Sequence, residues 1–279
     1  EMSLRTTLAV SRAERAIRQR FRELEESEIV AGNFISQVFA VADGKTGLIS
    51  RSAIRPVEDL PHLAMLGDFA LAGEKALRKA VVIKLNGGLG TSMGLDRTKS
   101  LLPVKRGLTF LDIIVGQVLE LRKATHCGVP LVLMDSFYTH AETLDALTRY
   151  PDLAEGQPSS IPLTFVQHRV PKIRCDDLMP VCWPKDPSRE WCPPGHGDLY
   201  LAMVTSGLLN RLIAADFEYA FISNSDNLGA TLDPRILGLF ADRRLPFMME
   251  VTERTRADRK GGHLAQTPEG LLILREASQ

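Results

Sequence analysis

Residues 85–94 read Leu-Asn-Gly-Gly-Leu-Gly-Thr-Ser-Met-Gly, and Lys99 stands five positions beyond the last glycine. Four glycines between Gly87 and Gly94 let a backbone turn tightly and come close to a ligand. The N–H groups exposed in such a turn can cradle phosphate oxygens, and a lysine downstream adds a cation. Two common phosphate motifs do not fit. Gly88, Gly90 and Gly94 give G-x-G-x-x-x-G, one residue longer than the dinucleotide fingerprint, and Thr98 rather than glycine precedes Lys99-Ser100. Taken singly, the loop also fits a plain turn and Lys99 an ordinary surface lysine. His196 lies between Gly195 and Gly197 ahead of a helical pattern, where it can cap the helix or meet a phosphate at its N-terminus. Cys175, Cys182, Cys192 and His196 have irregular spacing, so a zinc site is not expected.

The elements that must carry these residues can be read from periodicity. Ala80–Leu85 is a β-branched run that ends in the glycine loop, as a buried strand would. Thr109–Lys123 predicts a helix opened by a Thr109/Asp112 capping box, with Phe110, Ile113, Ile114, Val118 and Leu121 on one face. Leu131–Met134, Ile161–Val166, Tyr219–Ser223 and Phe247–Thr252 read as further strands, with Gln167 just past one and Asp226 just past another. Thr139 and Glu142 predict the start of a short helix carrying Leu144 and Leu147, and Leu199–Ala214 reads as one helix. The stretch 169–196 predicts a long loop anchored by Trp183 and Trp191, and 263–275 a hairpin about Thr267–Gly270. Upstream, residues 11–30 carry a helical stripe of Ala13, Ile17, Phe21, Leu24 and Ile29, and 31–79 read as a linker-like surface segment leading to a helix near 67–79. Strands alternating with helices predict an α/β fold with a mixed, mainly parallel sheet flanked by helices. Ligands of such sheets bind at the carboxyl ends of the strands.

The 279 residues allow one large domain or two ordinary ones. Hydrophobic residues make up 44% and charged residues 24%, both ordinary for a globular chain. Lys+Arg and Asp+Glu are 34 each, so no global field favours nucleic acid or an anionic membrane, and neither partner is expected. Four cysteines without a disulfide framework fit a reducing compartment. No apolar run is long enough to span a membrane and the opening residues do not read as a signal peptide, so a cytoplasmic protein is expected.

Four blocks now coincide in order. KLNGGLGTSMG followed by TKS is the first; Pro194-Gly195-His196-Gly197-Asp198 is the second. Ser223-Asn224-Ser225-Asp226-Asn227-Leu228-Gly229-Ala230-Thr231 is the third, and Glu250-Val251-Thr252 running on to Lys260-Gly261-Gly262 is the fourth. Together they resemble the eukaryotic-type UTP–glucose-1-phosphate uridylyltransferase (UDP-glucose pyrophosphorylase) family, from about residue 80 onward. The resemblance implies a Rossmann-like nucleotidyltransferase domain at 80–279, behind an N-terminal helical segment and linker at 1–79. It implies synthesis of UDP-glucose and pyrophosphate from UTP and glucose 1-phosphate with Mg²⁺. It also implies that this chain holds the N-terminal and catalytic part, without the family's C-terminal β-helix. Carried over by position, Leu85, Asn86, Gly87, Gly88 and Lys99 face the nucleotide and its phosphates. Met134, Gln167 and Gly195 form the uracil and ribose pocket, His196, Asn224 and Gly261 hold the sugar phosphate, and Asp226 binds the metal. Two departures stand out: the family usually has proline where Thr98 precedes the lysine, and asparagine where this chain has Asp135.

Such a reaction is an in-line attack by a phosphate oxygen on the α-phosphorus of UTP. The nucleophile is already an anion, so the site must gather two anions and stabilise added charge rather than supply a strong base. Lys99, Asp226 with its metal and the loop N–H groups would do this, with Lys99 and Asp226 as the catalytic pair. The alternatives are a pyrophosphorylase for another UDP-sugar, such as an N-acetylhexosamine, or a nucleotide-binding module without turnover.

Overall fold

The structure is a computed structural model, and it describes residues 4–45, 47–57, 59–90, 97–253, 255 and 262–275. Helix α1 (Leu4–Glu23) and helix α2 (Glu28–Ala42) form a hairpin. They are separated by a turn in which Glu25 takes a positive φ and Ser27 accepts a hydrogen bond from the Val30 N–H as N-cap. Ala13 is buried, and Ile17 and Phe21 are buried against Val30, Ala31, Ile35 and Val170, whereas Ile29 is exposed because α2 starts a new helical phase. A second helix thus occupies part of the stretch expected as a surface linker. Helix α3 (Ala70–Ala76) follows, and its end, with Leu77, packs into the main core.

Strand β1 (Ala80–Leu85) is buried at every position. After the glycine loop, the short strands β2 (Pro103–Lys105) and β3 (Leu108–Thr109) lead into helix α4 (Phe110–Thr125). Its capping box is present as expected: Thr109 Oγ1 accepts from the Asp112 N–H at 3.1 Å, and Asp112 Oδ2 accepts from the Thr109 N–H at 2.7 Å. Strand β4 (Leu131–Asp135), helix α5 (His140–Leu147), helix α6 (Pro151–Glu155) and strand β5 (Thr164–Val166) come next. Helix α5 has no side-chain cap. Thr139 Oγ1 accepts from the Ser136 N–H instead, and Glu142 reaches out to the Thr98 N–H. Leu147 is buried, but Leu144 is exposed.

The stretch 169–196 contains a two-strand ladder of β6 (Val170–Pro171) and β7 (Trp191–Cys192). Trp191 is buried beneath the Arg20 guanidinium, but Trp183 is half exposed. The single helix expected over 199–214 is two: α7 (Leu199–Thr205) and α8 (Leu208–Ala214). Gly207, at φ +75°, breaks the helical phase between them. Strand β8 (Tyr219–Asn224), helix α9 (Pro234–Asp242) and a hairpin of β9 (His263–Gln266) with β10 (Leu272–Arg275) complete the described chain.

β5, β4, β1 and β8 form a wholly parallel sheet in that order. One face carries the core of Leu111, Ile114, Val118, Leu131 and Leu133 beneath α4, and the other carries Val81, Ile83, Val132 and Met134 beneath α7 and α8. Residues 247–252, expected as a strand, have no regular structure, and Phe247, Met249 and Val251 are exposed. Alternation makes a strand only where a neighbour offers backbone partners, and none of the described strands pairs with this run.

Candidate active site

Parallel register fixes the floor of the site. Leu85, the last residue of β1, is level with Met134 of β4 on one side and Asn224 of β8 on the other. Three expected site positions therefore form one row at the carboxyl edge. Each strand hands its chain to a turn tied to its neighbour. The Asn86 N–H donates to the Met134 carbonyl at 2.7 Å, the Ser225 N–H to the Leu85 carbonyl at 3.1 Å, and the Gln167 N–H to the Asp135 carbonyl at 2.8 Å.

The glycine loop folds back on itself. Gly90 N–H donates to the Arg97 carbonyl at 2.9 Å, and Lys99 N–H to the Gly88 carbonyl at 3.0 Å. Residues 91–96 lie outside the described part of the chain. This closure carries Lys99 to the sheet edge, where its Nζ lies 2.5 Å from Asp226 Oδ2. Both side chains are about one-third exposed, so the pair faces solvent and a ligand can reach it.

Gly87 and Gln167 meet over the same edge. A Cβ on Gly87 would overlap the Gln167 amide nitrogen, so any larger residue there would push the Gln167 side chain from its place. Gln167 is 5% exposed and its side-chain oxygen has no partner. A cavity of about 470 Å³ opens beside it, bordered by Glu26, Phe137, His168, Arg169 and Thr205. Gly195 takes φ +100°, a conformation side chains rarely adopt, and His196 next to it is exposed. Gly195–His196 and Gln167 are joined through Asp198, the last residue of the second motif block, and through His168 and Thr205, which neither periodicity nor the motif blocks singled out. Asp198 accepts from the His168 N–H at 2.8 Å and pairs with its Nδ1 at 2.8 Å, while His168 Nε2 meets Thr205 Oγ1 at 2.8 Å.

Some expected contacts are placed differently from the others. The Met134 side chain is fully buried among the sheet's core residues, leaving its carbonyl at the edge, already occupied by Asn86. The Asn86 side chain is also buried and points to Asp135 and Thr143, at 2.7 and 3.0 Å. Asn224 is exposed at the edge. Gly261 lies outside the described residues, as does most of the block from 254 to 261. Lys84 is buried beneath the row and donates to Ser223 Oγ at 2.7 Å and the Ala230 carbonyl at 2.8 Å, which clamps the segment carrying Asp226. Burial pushes its ammonium down to about 8.

The geometry gathers a cation, a carboxylate and a glycine turn at the ends of parallel strands. The sequence profile of the UTP–glucose-1-phosphate uridylyltransferases matches residues 33–279. The chain belongs to that family. The uridylyltransferase match reaches further upstream than the motif blocks and takes in most of α2 and all of α3. The potato (Solanum tuberosum) UTP–glucose-1-phosphate uridylyltransferase is 40% identical over 260 residues, covering 91% of this chain and 53% of its own length. A second Dictyostelium discoideum enzyme of that name is 46% identical over 229 residues, covering 80% of this chain and 42% of its own. A Leishmania major UDP-glucose pyrophosphorylase variant solved in complex with UDP-glucose superposes with a TM-score of 0.85 and 42% identity, over 96% of this chain and 57% of that one. The chain thus spans about half the length of the uridylyltransferases it resembles.

Proposed function

We propose that this chain carries the nucleotide site and the catalytic groups of an enzyme forming UDP-glucose and pyrophosphate from UTP and glucose 1-phosphate. The observation that carries the reading is the Lys99–Asp226 pair in front of the Asn86–Gly88 turn. In this reading the N–H groups at Gly87 and Gly88 hold phosphate oxygens, and the Lys99 ammonium turns from Asp226 to the triphosphate. Lys99 then stabilises the charge that builds up as a sugar-phosphate oxygen attacks the α-phosphorus. Gln167, with a donor and an acceptor on one amide, reads the uracil edge beside Gly195, and the Met134 backbone lies at the same edge. His196 and Asn224, with Gly261, orient the sugar phosphate.

Mg²⁺ fits Asp226 by donor chemistry. An accessible carboxylate at a strand end, completed by substrate oxygens and water, is a common Mg²⁺ arrangement. Among the described residues no set of three or more His, Cys, Asp or Glu side chains converges, so the protein would supply one oxygen donor group and the substrates the rest. When bound, the ion would neutralise phosphate charge. Four free cysteines support a cytoplasmic setting for the reaction. Among the described residues no helix is long and apolar enough to cross a membrane.

The test is calorimetry with UTP and ATP on the 279-residue chain, followed by pyrophosphate release with UTP and glucose 1-phosphate, galactose 1-phosphate or N-acetylglucosamine 1-phosphate. UTP bound in preference to ATP, with release strongest for glucose 1-phosphate, supports the reading. Equal affinity for the two nucleotides removes the uracil assignment, and a preference for another sugar phosphate removes the glucose assignment.

A further inference from the structure

Asp135 is the last residue of β4, and its side chain is 0% exposed. Taking a carboxylate out of water is costly unless partners compensate, and each partner here leads toward the nucleotide edge. Oδ1 accepts from Asn86 Nδ2 at 2.7 Å, and Oδ2 lies 3.0 Å from His140 Nδ1 on α5. The Asp135 carbonyl receives the Gln167 N–H. One residue therefore anchors both the turn after β1 and the turn after β5.

Asn86 is held at two points, by its backbone N–H on Met134 and its side chain on Asp135 and Thr143. The side chain is 1% exposed; its nitrogen is committed to this network, and its oxygen has no partner. Its orientation sets the peptide plane leading into Gly87 and hence where the next N–H groups point. We propose that Asp135 is a positioning residue for the glycine-rich turn, fixing the N–H groups of Gly87 and Gly88 through Asn86, with His140 as its partner on the solvent side. The proposal rests on the reading that those N–H groups hold nucleotide phosphates.

The hydrogen-bond inventory gives the direction of the pH effect. From α5 the groups facing Asp135 are His140 and the neutral Thr143, from β1 the neutral Asn86, and from β5 a backbone N–H. One proton shared by the pair satisfies it, either as carboxylate against Nδ1–H or as Oδ2–H against a bare Nδ1. Protonating the carboxyl nonetheless removes its charge and leaves Asn86 Nδ2 with a poorer acceptor at Oδ1. Burial raises the Asp135 carboxyl to about 6, against the pull of its hydrogen bonds. The turn should therefore loosen as pH falls through that range.

The experiment has two arms on the full chain. In ¹⁵N–¹H spectra of the ligand-free protein, the Gly87 and Gly88 amide signals should titrate together between pH 5 and 7, and Asp135→Asn should abolish this step. In the second arm, UTP affinity is measured at pH 5.5 and 7.5. The terminal phosphate of a nucleotide titrates in the same range, so the reading is the difference between wild type and Asp135→Asn. The wild type should lose about tenfold more affinity on acidification, the size of one weakened hydrogen bond to a charged group. Gly87 and Gly88 signals that stay still in the wild type, or move equally in Asp135→Asn, overturn the proposal. So does an identical acid loss of UTP affinity in both proteins. Glycine signals that titrate in a chain binding no UTP at any pH overturn the nucleotide reading and leave the positioning role standing.

Discussion

Gly87 and Gln167 fit together so closely that the glycine is a steric condition on the amide. A methyl group at 87 would displace the Gln167 side chain, so Gly87→Ala should lower the preference for UTP over ATP, read by calorimetry, rather than merely weaken both. Lys99 makes a different kind of demand. A net-neutral chain has no general field to offset a triphosphate, so compensation must be local. Lys99→Ala should cut pyrophosphate release about 10²–10³-fold, the scale of losing one preorganised charge stabiliser. Lys99→Arg should recover only part, because a planar fork replaces a mobile point charge. Retention of more than about half the rate would return Lys99 to the status of an ordinary surface lysine, given the size of the loss expected. Asp135 sets site order against stability. Its folded value of about 6 lies above the ordinary carboxylate value of about 3.9. Folding therefore tightens its proton: the associated stability is complete below about pH 4 and is lost as pH rises through about 6. Asp135→Asn should raise the melting temperature at pH 7.5, by the equivalent of about 1–3 kcal/mol, and change it little at pH 4. Thermal melts at the two pH values check this.

At the scale of elements, what was legible in the sequence was whatever a local pattern encodes. The buried run Ala80–Leu85, the capping box on Thr109 and the hairpin about Thr267–Gly270 each follow from their own residues. Patterns that need a partner misled. Phe247–Thr252 alternates like a strand but has none beside it, Leu199–Ala214 reads through a break that one glycine makes, and Glu142 serves Thr98 rather than its own helix. Of the candidate site, the glycine loop, Lys99 and Asp226 could be named from the sequence, and the structure brings them to one edge of the sheet. The bracing contacts of Asp135, His168 and Asp198 were not legible, because nothing local shows which buried polar groups will meet. Asp198 ties the end of β5 to the start of α7, and both it and His168 are about 5% exposed. Removing one partner of a buried pair strands the other, so Asp198→Ala should cost about 3 kcal/mol in urea unfolding, with part recovered by Asp198→Asn. Helices α3 and α9 touch backbone to backbone: an added Cβ at Gly73 would overlap Pro234, and one at Gly238 would overlap Phe69. Gly238→Ala should therefore destabilise by about 2–3 kcal/mol, far from the site and without changing UTP specificity.

Across the whole molecule, the two sheet faces and the N-terminal hairpin form separate cores joined by a few polar struts. Arg20 is one, pairing with Glu190 and lying over Trp191, so that α1 braces the β6–β7 ladder. Thiol chemistry gives an independent view of this packing. Cys175 and Cys182 are exposed, whereas burial pushes the Cys127 and Cys192 thiols up and slows their conversion to thiolate. A native thiol titration at pH 7.5 should show two fast and two slow groups, all four becoming fast in denaturant. The parallel register that aligns Leu85 with Asn224 has a consequence in time as well as space. Lys99 and Asp226 are 127 positions apart, and β1 can gain β8 as a neighbour only after the chain between them has been made. During synthesis the glycine turn can form against β4 early, but its cation has no counter-charge until the distant strand docks. Long-range closure of this kind is slow, and until it happens the unfinished edge of β1 is open to wrong partners. On the reading proposed for the site, the pair that readies the pocket for phosphate is thus also the mark of a docked β8, and a nascent polypeptide halted before β8 would present the glycine turn with Lys99 unpaired from Asp226.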